Sequence, residues 1–127
     1  MTIKKEEVVS LGIVLKTHPY KESDSLVTVY FKDYGKMTLI ARGVKKLKSK
    51  NASACQSLTL SEFTFIPRNG LSTMIKASSV DFYRYIKENL ELEAYASYFM
   101  EFVLKNEEDN QPDLEIFDTL KKSLDAL

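Results

Sequence analysis

The densest chemical signal in the chain is Arg42-Gly43-Val44-Lys45-Lys46-Leu47-Lys48-Ser49-Lys50, which sets five cations within nine residues and no acid among them. Lysine and arginine at such density suit a phosphate backbone better than a reacting atom, because each cation that meets a phosphate releases condensed counterions. Gly43 at the start predicts a flexible, exposed arm. A merely solvated loop has the same composition, so the run by itself leaves both readings open.

Residue types that would support catalysis are sparse. His18 precedes Pro19 and has no carboxylate or nucleophile beside it in sequence, which fits a surface histidine at a strand end better than a general base. The glycines stand apart at positions 12, 35, 43 and 70, so no phosphate-cradling glycine loop exists. Cys55 is the only cysteine, which excludes an internal disulfide and a cysteine-based zinc site within this chain. The nucleophile, base and oxyanion donors of an enzyme cannot all be assigned, and neither catalysis nor a metal or other cofactor is expected.

Charge is divided along the chain although it sums to zero. Residues 1–80 hold 13 Lys and Arg against 6 Asp and Glu, a balance of +7; residues 81–127 hold 5 against 12, a balance of −7. A polyanion is therefore expected to touch the first part and avoid the second. No stretch approaches the ~20 apolar residues of a membrane span, and with a single unpaired cysteine the expected location is the cytoplasm, with no membrane partner.

The elements that must carry the basic run read as strands. Short runs rich in Val, Ile, Thr, Tyr and Phe, separated by turn residues, fall at 8–16, 26–32, 36–42, 58–66 and 71–77. In the first, Val9, Leu11, Ile13 and Leu15 share one alternating face, and Gly12 on the other suggests a bulge or barrel corner. Asp33-Tyr34-Gly35 reads as a hairpin connection with Gly35 at positive φ. Five short strands without a long intervening helix fit a small closed barrel, either of the oligonucleotide/oligosaccharide-binding (OB) type or SH3-like. An OB barrel binds single strands by joining a positive groove to aromatic platforms. The candidates are Tyr20, Tyr30, Phe31, Tyr34, Phe63 and Phe65, most of them better suited to the core. Adjacent Tyr30 and Phe31 must point to opposite faces.

Beyond Asp81 the period changes to 3.6. Over 89–105, Leu92, Tyr95, Phe99, Phe102 and Val103 form a stripe widened by Leu90, Ala94 and Tyr98. An acidic linker, 106–110, leads to Pro112 and a second helix with a stripe of Leu114, Phe117, Leu120, Leu124 and Leu127. The second helix ends on an apolar residue without a closing Gly or Pro, so it reads as cut short, and further sequence or another subunit is expected to cover both apolar faces. The predicted class is α+β: a five-stranded OB-fold barrel over 1–80, followed over 81–127 by the start of an acidic helical domain.

Taken in order, Gly12-Ile13-Val14-Leu15, Tyr20-Lys21-Glu22-Ser23-Asp24, Asp33-Tyr34-Gly35-Lys36, Ala41-Arg42-Gly43-Val44-Lys45-Lys46 and Ser49 resemble the start of the RecO recombination-mediator proteins. Tyr95-Ala96-Ser97-Tyr98 with Glu101 is similar to the first long helix of that family's helical domain. The resemblance implies an OB domain that binds single- and double-stranded DNA, promotes annealing, and works with RecR to load RecA on DNA covered by single-strand binding protein. It implies DNA contact by Arg42, Lys45, Lys46, Lys48 and Lys50, with Lys16, Lys21 and Arg68 as weaker contacts, through charge neutralisation. Many members carry a cysteine zinc site in later helices, which one cysteine cannot form. The loop 20–24 reads either as a ligand-side loop or as a turn in which Ser23 or Asp24 caps the backbone. Two other functions remain open: a protein-interaction module, and an RNA-binding OB domain.

Overall fold

A computed structural model describes residues 6–46 and 51–127. Strands β1 (Val8–Tyr20), β2 (Asp24–Phe31), β3 (Gly35–Ala41), β4 (Leu60–Ile66) and β5 (Leu71–Asp81) close into one barrel in the order β1-β2-β3-β5-β4. All neighbours are antiparallel except β3 and β5, which run parallel through Thr38↔Leu71, Leu39↔Ser72 and Ile40↔Thr73. Closure leaves no long open edge. This five-stranded order is the OB fold, and it removes the SH3-like alternative.

Gly12 lies where β1 passes from one partner to the next, opposite both Phe31 of β2 and Ser61 of β4. A methyl group there would overlap the Val29 γ-methyl and come within 2.9 Å of Phe31 Cδ1, so only glycine fits this corner. The bulge itself falls three residues later, at Leu15, between the Val14 and Lys16 pairings.

The barrel has two cores, one on each side of its wall. Val14, Val27, Val29, Phe31, Leu39, Phe63 and Phe65 fill the interior, where Phe31 stacks on Phe65 at 4.6 Å. Val44 and Cys55 plug one end, and Ser61 Oγ donates to the Ala54 carbonyl at 2.8 Å, tying the short 3₁₀ turn Ser53–Cys55 to the barrel. Outside, Ile13, Leu15, Tyr30, Leu58 and Leu60 pack against the helices. Phe31 thus points in and Tyr30 out, as adjacent strand residues must. The apolar alternation in β1 marks the outer, helix-covered wall; Val9, beyond the helices' reach, is exposed.

Three helices follow: α1 (Arg84–Lys87), which the sequence pattern did not indicate, α2 (Leu90–Asn106) and α3 (Leu114–Asp125). Asn89 and Asp113 cap α2 and α3, each side chain accepting from the backbone N–H three residues on, at 3.1 and 3.2 Å. The buried face of α2 is Ala96, Met100 and Val103, with Leu92 and Phe99 partly covered. The stripe read from sequence is therefore rotated: Tyr95, Tyr98 and Phe102 are exposed, because the larger aromatics cannot approach the barrel as closely as Ala96. In α3, Phe117, Leu120 and Leu124 are buried and Leu114 is exposed.

Candidate nucleic-acid interface

The more open side of the barrel is the outer face of β1, β2, β3 and β5, where His18 and Leu71 are exposed, Lys16, Thr38, Ile40 and Thr73 are half-buried and Thr28 is buried. Side chains alternate across a strand, so the residues between Val27, Val29, Met37 and Leu39 face outward. Register aligns them in two rows: Lys16, Thr28, Thr38 and Leu71; and His18, Leu26, Ile40 and Thr73. Thr28 and Thr38 share a hydrogen bond at 3.2 Å, which fixes the polar middle of the face. In OB barrels the β2–β3 face and the β1–β2 and β4–β5 loops hold oligonucleotides.

Cations occur at both ends of this face. At one end, residues 42–46 form an anchored turn and not the free arm expected. Gly43, at φ +69°, donates its N–H to the Asp24 carboxylate at 2.8 Å, and the Lys45 N–H donates to the Ser23 carbonyl at 2.9 Å. Val44 turns inward as part of the plug, leaving Arg42, Lys45 and Lys46 exposed. Lys21 sits on the adjoining turn, its ammonium 5.4 Å from the Tyr20 ring. In loop 20–24 the Asp24 carboxylate accepts from the Gly43 N–H of the neighbouring turn, so the two turns are joined at this end of the face. Lys48 and Lys50 lie outside the described residues.

At the other end, Arg68 stands in the β4–β5 turn and donates from Nε to Thr73 Oγ1 at 3.2 Å, which holds it beside the second row. Lys16 lies within the face, next to Thr28. Among the described residues the ion pairs are Lys36–Asp109, Arg84–Glu88, Lys105–Glu101 and Lys121–Asp125; none engages Arg42, Lys45, Lys46, Lys16, Lys21 or Arg68. Their charge is left for solvent or ligand.

The aromatic platform is smaller than the sequence allowed. Tyr30, Phe31, Phe63 and Phe65 are fully buried, so none stacks on a ligand; Tyr20 and Tyr34 remain half-buried at the face's margins. Tyr30 lies under the helical segment, its hydroxyl donating to Glu107 at 3.2 Å. Burial, then the Glu107 charge, pushes its pKa up to about 12. Lys36, on the same outward face, donates to the Leu104 carbonyl at 2.8 Å and meets Asp109 at 3.7 Å. The acidic linker thus neutralises the one β3 cation and bounds the open face.

His18 is exposed at its strand end. Cys55 is buried, its thiol 3.5 Å from Met74 Sδ, and burial pushes its pKa up to about 12, far from a reactive thiolate. Lys87 donates to Thr59 Oγ1 at 2.8 Å and to the Phe82 carbonyl at 2.7 Å, and burial lowers its pKa to about 8. Among the described residues no group of three or more His, Cys, Asp and Glu could hold a metal. No helix among them is long and apolar enough to cross a membrane.

A closed OB barrel with an open, cation-flanked outer face defines the class: a β-barrel of the oligonucleotide-binding type joined to an acidic helical segment. The family model described as "Recombination protein O N terminal" matches residues 5–83. A relative from Listeria monocytogenes serotype 4a, called DNA repair protein RecO, is 38% identical over 101 residues, covering 80% of this chain and 40% of the relative. A Bacillus cytotoxicus protein of the same name is 34% identical over 113 residues, covering 89% of this chain and 46% of that one. The chain belongs to the RecO family, and it spans less than half the length of these relatives.

Proposed function

We propose that this chain is the DNA-contacting part of a non-catalytic recombination mediator in DNA repair. The observation that carries the reading is the outer β1–β2–β3–β5 face, with unpaired Arg42, Lys45, Lys46 and Lys21 at one end and Arg68 at the other. Residues 1–80 act as the nucleic-acid-binding unit, and 81–127 as an acidic segment that keeps the strand on the open side. The relatives' printed name, DNA repair protein RecO, supports the same assignment.

A phosphate chain crossing from Lys45 and Lys46 past Lys16 to Arg68 displaces counterions at each cation. Such contacts read the backbone and not the bases, so binding is sequence-tolerant and accepts single or double strands. Two such strands held on neutralising surfaces repel one another less, which favours annealing. Together with RecR, the same contacts would serve delivery of RecA onto DNA covered by single-strand binding protein.

The test is fluorescence anisotropy with a labelled single-stranded DNA, titrated over salt. Each neutralised phosphate contributes a slope of about −0.7 in log affinity against log salt. Lys45→Glu with Lys46→Glu is expected to flatten the slope by about 1.4 and weaken binding at 0.1 M salt by at least about 25-fold. Equal slopes for both proteins would remove the turn 42–46 from the contact. Competition between DNA and RNA of one length separates the RNA-binding reading.

A protein-interaction role is favoured by one observation, the exposed aromatic row Tyr95, Tyr98 and Phe102 on α2. It predicts no salt-sensitive complex with DNA even at low salt.

A further inference from the structure

We propose that the cleft between the β2–β3 turn, the β4–β5 turn and the α2–α3 linker is a nucleobase pocket, which takes one unstacked base of a DNA strand lying on the sheet. The inference rests on the DNA-binding reading and adds to it the unit recognised and its place. The cleft measures about 600 Å³, within the ~300–1,000 Å³ of small-molecule sites. Its lining includes Asp33, Tyr34, Met37, Arg68, Asn69 and Asn110.

These residue types match the chemistry of a base. A base presents a flat π surface, which needs an aromatic or apolar wall, and an edge of mixed donors and acceptors, which an amide matches from either end. Tyr34 supplies the aromatic wall, and its ring is braced edge-on against Phe65 at 5.5 Å. Met37 is a buried, polarizable neighbour. The side-chain amides of Asn69 and Asn110 are exposed and have no partner among the described residues. Asp33 accepts from Ser10 Oγ at 3.3 Å and keeps acceptor capacity for an exocyclic amino group.

The pocket is already formed. Its linker wall is fixed to β3: the Asn110 N–H donates to the Lys36 carbonyl at 2.9 Å. Gly35, at φ +74°, lies so close that a Cβ there would approach the Gln111 carbonyl carbon to 2.6 Å. Charge sets the orientation of the ligand. Glu108 is exposed on the linker and repels phosphate, whereas Arg68, held at Thr73 through Nε, lines the cleft with no ion-pair partner among the described residues. The neutral base therefore enters and the phosphate stays at Arg68. A base paired in a duplex cannot enter, which gives the site a preference for single strands.

The test is a ¹H–¹⁵N NMR titration of the whole chain with 2′-deoxyadenosine 5′-monophosphate, beside 2-deoxyribose 5-phosphate, which has no base. Saturable shifts of the Asn69 and Asn110 side-chain amides with the nucleotide alone are expected. Asn69→Ala, an exposed change, should weaken the nucleotide by about tenfold, the effect of one lost hydrogen bond. The same variant should leave the salt slope for an oligonucleotide unaltered. Equal shifts with the sugar phosphate, or shifts confined to Lys45 and Lys46, would overturn the pocket. If the oligonucleotide binds with its salt slope while the nucleotide moves neither amide, the pocket fails and the DNA-binding reading stands. If the oligonucleotide does not bind, the underlying reading fails and the pocket with it.

Discussion

Gly12→Ala probes the handover in β1 on which barrel closure depends. The added methyl overlaps the Val29 γ-methyl and lies 2.9 Å and 3.1 Å from Phe31 Cδ1 and Cε1. Carbon atoms settle near ~3.5–4.0 Å, so the Phe31 ring must retreat by roughly 0.5–1 Å. It has no room to do so, being stacked on Phe65 at 4.6 Å and edge-on to Phe63 at 5.5 Å. Overpacking of this kind costs about 1–3 kcal/mol, here toward the upper end, less the ~0.4–1 kcal/mol that alanine gains by restricting the unfolded chain. The net loss is about 2 kcal/mol, a fall in Tm of about 8 °C at ~4 °C per kcal/mol for a chain of this size. Calorimetry of the variant checks this. Val29→Ala in the same chain removes the methyl that collides, so the double variant should show coupling of at least about 1 kcal/mol against the two single changes. A Tm within about 1 °C of the parent, or additive effects, would refute the packing of β1.

Asp113→Ala removes the α3 cap and should lower stability by about 1 kcal/mol in urea unfolding, with Asp113→Ser recovering most of it. The Cys55 thiol ionises at about 12 in the folded chain against 9.0 for the free group, so the folded state keeps a proton that the unfolded state releases. Its contribution is complete below pH 9 and declines as pH rises toward 12. Lys87, lowered from 10.5 to about 8, acts in the opposite sense between those values. The difference between parent and Cys55→Ala in urea unfolding at pH 8 and pH 10 therefore isolates the thiol, and the variant should lose less stability over that interval. Native Cys55 should also resist a disulfide reagent at pH 8 until urea unfolds the chain.

Much of the barrel was legible because local chemistry dictated it. Asp33-Tyr34-Gly35 had to turn, and β2 and β3 pair from Ser25↔Ala41 to Phe31↔Gly35 as that turn requires. Gly12 announced a corner, although the bulge fell at Leu15. The parallel β3–β5 pairing was not legible, since closure depends on contacts distant in sequence and no local residue encodes it. Periodicity gave α2 its extent and misplaced its buried face: a stripe records hydrophobicity, whereas the contact with β1 selects small Ala96 over Tyr95 and Tyr98. The cations were found by composition. Which of them lie free was not, because Lys36 and Lys87 differ from Lys45 only in the carbonyls and carboxylates that tertiary packing brings to them. Val44 shows the same limit, an apolar residue within a basic run that turns the expected arm into an anchored turn.

The most direct test is a map of backbone amide shifts when a short single-stranded oligonucleotide is added at low salt. Shifts should concentrate at Lys16, Thr28, Thr38 and Ile40, extend to Lys21, Lys45 and Arg68, and disappear as salt rises. Shifts centred on Tyr95, Tyr98 and Phe102, with the sheet face silent, would contradict DNA binding by the barrel.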